Sequence, residues 1–126
     1  MRVSAHIVVP DADRAAEWYR EAFGAEQRSR TELPGGIVTT VLRFGADDIH
    51  VASEFPDGGV LSPLTIGGTA TVLQLDVDEA DPLWDKALAA GAEVRHDLAD
   101  QSWGQRHGQL TDPFGHRWNI AAPLRI

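Results

Sequence analysis

The sequence predicts an α+β fold made of two tandem βαβββ modules. Each half of the chain opens with a strand that alternates apolar and polar residues, and a short amphipathic helix ending near a glycine follows. The two halves also match each other at an offset of 68 residues, as expected for an internal duplication. This offset places one apolar helix stripe on the other: Ala12, Ala15, Ala16 and Tyr19 on Ala80, Leu83, Trp84 and Ala87.

The first module begins with alternating residues over Arg2–Pro10, which predict a strand. Asp11 is a suitable N-cap for the helix that follows, and Gly24 is a suitable residue to end it. Glycine-rich turns then separate three predicted strands, at about Ala25–Glu32, Ile37–Phe44 and Asp48–Glu54.

The second module repeats this order after a segment rich in Gly, Pro and Ser. A strand is predicted over Thr71–Val77, Asp78 or Glu79 is the expected N-cap, and Gly91 is expected to end the helix. We therefore interpret residues 1–126 as a single domain, with module one at about 1–56, a linker at 57–67 and module two at about 68–126.

Composition restricts the classes of function. The net charge is −8, and clustered positive charge is missing, which argues against a nucleic-acid partner. The chain has no cysteine, which excludes disulfides, thiolate metal sites and cysteine catalysis. No apolar run has the roughly 20 residues of a membrane span, and no signal-peptide pattern precedes the first strand. We expect a cytoplasmic protein without a membrane partner.

Polar residues on the first and last strands of each module predict a ligand cavity. One helix covers only one face of a four-stranded sheet, and the more apolar face of each first strand should pack against it. Polar groups on the opposite faces then favour a binding cavity over a core. These groups are Ser4, His6 and His50 in module one, and Gln74, Asp76 and Asn119 in module two.

Two segments carry a family resemblance: HIVVPDADRAAEWYREAFGAE near the start, and GQLTDPFGHRWNIAAP near the end. With the duplication, they resemble the glyoxalase / bleomycin-resistance / dioxygenase superfamily, which has the vicinal oxygen chelate (VOC) fold. The run Asp112–Trp118 is the most specific part, and it is a turn-and-strand signature more than a catalytic one. The resemblance implies an open half-barrel sheet around a cavity, and a homodimer.

Enzymes of this superfamily bind a divalent metal through the first and last strand of each module. The resemblance places those four ligand positions at Ser4, His50, Val72 and Asn119 of this sequence. Of these residues, only His50 has a side chain suited to binding such a metal. We therefore predict no cofactor. The alternative is a divalent metal held by His50 and His6.

Other interpretations of single residues stay open. Three interpretations apply to His6 and to His50: a buried hydrogen-bonded imidazole, a cavity-lining group or a metal ligand. Trp103, in a loop between predicted strands, either stacks on a flat ligand or simply packs. Arg106 either anchors an anionic ligand group or forms a surface ion pair.

The functional expectation is a small-molecule binding protein of the bleomycin-resistance type, which acts by metal-independent sequestration. The alternative is a divalent-metal-dependent lyase, isomerase or dioxygenase; a third is a vestigial cavity in a dimerisation module. No catalytic residue is assigned. The predicted ligand-binding residues are His6, His50, Gln74, Trp103, Arg106 and Asn119.

Overall fold

A computed structural model describes residues 1–125, which form two compact units, residues 1–68 and 69–125. The first unit contains one four-stranded sheet of order β1-β4-β3-β2 with one long helix. Strands β1 and β4 are parallel, and the other neighbours are antiparallel. The elements are β1 (Ala5–Val9), α1 (Ala12–Phe23), β2 (Glu26–Leu33), β3 (Ile37–Phe44), β4 (Asp47–Ser53) and a short α2 (Pro63–Ile66).

The second unit repeats this topology. Its sheet has the order β5-β8-β7-β6, again with the first and last strands parallel. The elements are β5 (Val72–Asp76), α3 (Ala80–Ala89), β6 (Glu93–Asp100), β7 (Gln105–Thr111) and β8 (Arg117–Pro123). Two βαβββ modules are therefore present, and the predicted α+β fold class is confirmed.

Helix α1 starts and stops where the sequence predicts. The Asp11 side chain accepts hydrogen bonds from the backbone N–H groups of Asp13 and Arg14, so it satisfies two donors that the helix itself leaves free. Gly24 ends the helix with a φ of 71°, in the left-handed region that glycine adopts without a steric penalty.

Helix α3 begins at one of its two predicted N-cap residues but ends just before the predicted glycine. Glu79 is the N-cap, but its side chain makes no capping hydrogen bond. The helix ends at Ala89, with Ala90 still right-handed, and Gly91 follows with a φ of 107°. The predicted linker is not a plain loop either, because it contains a 3₁₀ turn at Pro56–Gly58 and helix α2.

Each long helix covers one face of its own sheet. In the first unit α1 packs its aromatic and alanine stripe against alternate residues of β1, β3 and β4, and in the second α3 packs against β6 and β8. The resulting cores contain Ile7, Val9, Tyr19, Leu42 and Val51 in the first unit, and Trp84, Leu110, Trp118 and Ile120 in the second. The opposite face of each sheet is not covered by α1 or α3. We call these the open faces.

Strands β2 and β6 each form one edge of their sheet, opposite the edge strands β1 and β5. Every residue of β2 is exposed, and so are all but one of β6. Both strands also contain irregular register, at one point in β2 and at two points in β6. These edges lie farthest from the first and last strands that carry the candidate site residues.

The run Asp112–Trp118 forms the turn between β7 and β8. Asp112 is only 4% exposed, and one carboxylate oxygen accepts from the backbone N–H groups of Phe114 (2.8 Å) and His116 (3.0 Å). The other oxygen accepts from the indole of Trp118 at 2.9 Å. Three donors therefore hold a buried carboxylate that ties the turn to the strand.

Among residues 1–125, no helix is long and apolar enough to cross a membrane.

Candidate functional site

The parallel strand pairs define matching rows on the two open faces. In the first sheet His50 lies between His6 on β1 and Val41 on β3. In the second sheet Asn119 lies between Gln74 on β5 and Gln109 on β7. The two rows occupy the same places in their modules, because each central residue precedes a buried core residue, Val51 or Ile120.

The row in module one is a pair of stacked imidazoles. The rings of His6 and His50 lie 4.1 Å apart between centroids, and their planes differ by 4°. His6 is exposed and His50 is half-buried, so neither is the buried imidazole that one interpretation expected. Aliphatic residues flank the pair: Val41, together with Val8 and Ala52 one step along the same face.

This donor set does not fit the divalent metal that the family resemblance implies. An imidazole binds a metal through a nitrogen lone pair that lies in the plane of the ring, about 2.0–2.1 Å from the ion. Two parallel stacked rings have no common point in both planes, so His6 and His50 cannot share an ion in this arrangement. Within the described part of the chain, no group of three or more His, Asp or Glu side chains is placed to hold a metal ion.

The row in module two is a chain of carboxamides. Gln109 Nε2 donates to Asn119 Oδ1 at 2.9 Å, and Asn119 Nδ2 donates to Gln74 Oε1 at 3.3 Å. Gln74 Nε2 then donates to Asp76 Oδ1 at 2.9 Å. We call these four residues the carboxamide array. It crosses three strands and ends on a carboxylate, which gives the open face a fixed pattern of donors and acceptors.

An exposed tryptophan lies beside this array. Trp103, in the turn between β6 and β7, is 60% exposed, and its ring meets that of His107 edge-on at 5.4 Å. The indole N–H donates to Gln105 Oε1 at 3.0 Å, which fixes the orientation of the ring. Because Gln105, His107 and Gln109 alternate along β7, Trp103 is held on the same face as the array.

A cavity of about 460 Å³ opens at the Asp76 end of the array. It is within the size range of small-molecule sites, roughly 300–1,000 Å³. Ala121, the partner of Asp76 across β5 and β8, supplies part of its wall without filling it. Its lining consists of Asp76, Val77, Asp78, Gly104, Gln105, Ala121, Ala122 and Pro123.

Arg106 does not join this group. It alternates with Gln105 and His107 on β7, and its guanidinium reaches Asp81 in the first turn of α3 at 2.6 Å and Asp100 at 3.1 Å. The hydrogen bond from Arg106 lowers the pKa of the Asp81 carboxyl. Of the two interpretations of Arg106, the ion pair is the arrangement present, and the side chain is committed to α3.

The predicted site residues thus fall into three places. His6 and His50 meet on one sheet, Gln74, Asn119 and Trp103 gather on the other, and Arg106 lies apart from both.

Sequence reasoning missed Gln109, Gln105 and His107, which complete the second group. Their alternation along Gln105–Thr111 was the available signal, but it becomes informative only once β7 is known to pair with β8.

Comparisons with known proteins agree with this architecture. The family model for the Glyoxalase/Bleomycin resistance protein/Dioxygenase superfamily matches residues 3–120. An uncharacterised protein of Mycobacterium tuberculosis is 36% identical over 127 residues, which cover 98% of this chain and 75% of that protein. An uncharacterised protein of Mycobacterium bovis shows the same identity and 84% coverage of its own length.

Solved structures show the same fold at lower identity. A glyoxalase family protein from Bacillus cereus superposes with a TM-score of 0.80 at 15% identity, covering 98% of this chain and 94% of that one. TioX from Micromonospora sp. ML1 gives a TM-score of 0.75 at 24% identity, covering 100% and 98%. With the family match over most of its length, the chain belongs to the glyoxalase/bleomycin resistance protein/dioxygenase superfamily.

Proposed function

We propose that the protein binds a planar small molecule on the open face of its second module and acts by metal-independent sequestration. The observation that carries this proposal is the exposed Trp103, held by Gln105 beside the carboxamide array and next to a cavity. An exposed indole with a fixed orientation stacks on a flat ligand at low entropic cost.

The array and the cavity supply complementary polar contacts. Gln74, Asn119 and Gln109 each keep one amide N–H outside the array, so a ligand on this face meets both donors and acceptors. Specific small-molecule sites combine an apolar or aromatic surface with a few such oriented polar groups. The module two face has both.

The donor chemistry favours binding over metal-dependent catalysis. At the four positions where the resemblance implies metal ligands, this chain has Ser4, His50, Val72 and Asn119. A hydroxyl, an alkyl group and a carboxamide are poor ligands for Zn²⁺, Ni²⁺ or Fe²⁺. In module two, Asn119 instead donates and accepts hydrogen bonds within the array.

The test is binding of planar bicyclic probes followed by NMR of the ¹⁵N-labelled protein. We use 6-aminoquinoline and 6-methoxyquinoline, and follow the four indole N–H signals. Trp18, Trp84 and Trp118 are buried, so ligand on the open face should shift the Trp103 signal alone. Replacing Trp103 by Ala should weaken binding about fivefold, whereas Trp103→Phe keeps a stacking ring and most of the affinity.

Leu64→Ala is the matched control, because Leu64 is 56% exposed on α2 in the other unit. Binding that Trp103→Ala leaves unchanged would contradict the proposal. Titration with Ni²⁺, Zn²⁺ and Fe²⁺ provides the second arm: stoichiometric binding that is lost in His50→Ala would favour a metal-dependent lyase, isomerase or dioxygenase instead.

A further inference from the structure

The direction of every hydrogen bond in the carboxamide array follows from one carboxylate. The carboxylate oxygens of Asp76 accept hydrogen bonds and donate none, so Gln74 turns its NH₂ group towards them. The carbonyl oxygen of Gln74 then faces Asn119, which must donate to it. The Asn119 oxygen in turn accepts from Gln109.

The same logic determines which atom stands at the far end of the array. Gln109 directs its NH₂ group to Asn119, so its Oε1 is turned away from the row. Among residues 1–125, no donor is assigned to this oxygen. A carboxamide without such an anchor would rotate and present either a donor or an acceptor. Here Asp76 is the anchor, and it leaves the carbonyl oxygen of Gln109 at the free end of the array.

We propose that Asp76 is a specificity-determining residue. By fixing the direction of the hydrogen bonds in the array, Asp76 makes Gln109 present an acceptor. The site therefore selects planar ligands that bear a hydrogen-bond donor, such as amino-substituted heteroaromatics. This inference rests on the proposed binding function and deepens it. The cavity end of the face favours the same class, since Asp76 and Asp78 are its charged groups and both are acidic.

Module one has no equivalent of this lock. The position that matches Asp76 is Val8, as both residues pair with an alanine of the last strand, and the position that matches Gln109 is Val41. Donor selection is therefore a property of the second open face.

The competing ligand class is an anion. Arg117 lies on β8 two residues before Asn119 and therefore on the same face, where it offers a charged donor. A carboxylate-bearing ligand would use Arg117 and would not need the acceptor of Gln109. The experiment therefore includes an anionic probe with the same ring system.

Three quinolines that differ only in the substituent at position 6 distinguish these classes: 6-aminoquinoline, 6-methoxyquinoline and quinoline-6-carboxylate, titrated against the full chain at pH 7.5 with ¹⁵N detection. The wild-type protein should bind the amino compound about three- to tenfold more tightly than the methoxy compound, as one net hydrogen bond would give. The side-chain NH₂ signals of Gln74, Asn119 and Gln109 should move with the amino compound.

The decisive variant is Asp76→Asn, which keeps the size of the side chain but replaces a group that only accepts by one that can also donate, so the direction of the array is no longer fixed. The ratio of amino to methoxy affinity should fall to about one, while the Trp103 signal still responds to both probes. Asp97→Asn on exposed β6 is the control, because it removes the same charge outside the array and should leave the ratio unchanged.

The failures of the two proposals are distinguishable. Equal binding of the amino and methoxy compounds by wild type, tightest binding of the carboxylate, no binding of the amino compound, or an unchanged ratio in Asp76→Asn would each overturn donor selection. If Trp103→Ala still weakens binding in those cases, the proposed binding face stands. If Trp103→Ala does not weaken binding, the proposed binding face is contradicted as well.

Discussion

The same three-residue row carries different chemistry in the two modules. In module one it consists of Val41, His50 and His6, and the two imidazoles stack. In module two it consists of Gln109, Asn119 and Gln74, which form a directed chain of hydrogen bonds. The backbone register is equivalent, so the difference lies entirely in the side chains.

The buried faces differ far less. Ile7 and Val51 pair across the first parallel strands, and Leu75 and Ile120 pair across the second. All four are aliphatic, because a helix covers that face in each module and packing requires it. Duplicated modules thus keep the chemistry that folding requires and diverge on the face that folding leaves free.

The largest expected difference between the modules concerns their last hairpins. Asp112→Ala leaves three donors without their buried acceptor, and we expect a loss of about 3 kcal/mol or more in the free energy of unfolding. Asp48→Ala breaks only the half-exposed ion pair with Arg43 near the module one turn, at a cost below about 1 kcal/mol. Urea unfolding measures both; equal losses would contradict the comparison.

The next difference lies at one matching position of the third strands. Gly108 pairs with Ile120 and Thr40 pairs with Val51. A Cβ on Gly108 would come within 2.8 Å of the Leu98 backbone and of the Trp84 ring, so Gly108→Ala should destabilise the protein by about 1–3 kcal/mol. Thr40→Ser keeps the hydroxyl that donates to Ser29 O and should cost about 1 kcal/mol or less. A tolerated Gly108→Ala would show that β6 and Trp84 shift easily.

A smaller effect is expected when Gln109 of module two is replaced by valine, the residue at the matching position 41 of module one. Gln109→Val removes the end of the array but suits a strand, so the free energy of unfolding should change by less than about 1 kcal/mol. The side-chain NH₂ signals of Asn119 should nevertheless move in the ¹⁵N spectrum. Unmoved signals would mean that the array does not persist in solution.

The smallest effect concerns a feature that the modules share. Arg30 pairs with Asp13 and Arg106 pairs with Asp81, and each pair lowers the pKa of an aspartate in the first turn of a helix. Such stabilisation is present above the unfolded pKa of about 3.9 and is lost as pH falls through the lower folded pKa.

The stability advantage of wild type over Asp13→Asn or Asp81→Asn should therefore be constant from about pH 7 to 5 and disappear in stronger acid. Thermal unfolding across this range measures the advantage, and Asp85→Asn, at an exposed position of α3, is the control. An advantage that grows in acid would contradict the assigned ion pairs.

Sequence reasoning predicted the fold because it depends on local patterns. The cap at Asp11, the glycine at Gly24 and the strand Ile37–Phe44 agree with the structure, since each is determined by neighbouring residues. The site depended on pairing between distant strands. Gln74 and Asn119 are 45 residues apart, so no spacing rule reports that their carboxamides meet.

Arg106 is a second example of what the sequence alone cannot predict. Its planar guanidinium suits a ligand anion and a surface carboxylate equally well. Only the position of β7 beneath the start of α3 brings Asp81 within reach. Which partner such an arginine takes is decided by tertiary structure.

The exposed edge strands bear on how the protein behaves when it is concentrated. A free sheet edge is a template for another chain, and long flat edges invite aggregation. Strand β2 carries Glu26, Arg28, Arg30 and Glu32, and its register is interrupted between Gln27 and Ser29. These charged side chains and the bulge both discourage a second strand from pairing there. The β2 edge of module one is therefore protected against pairing with a strand of a neighbouring molecule.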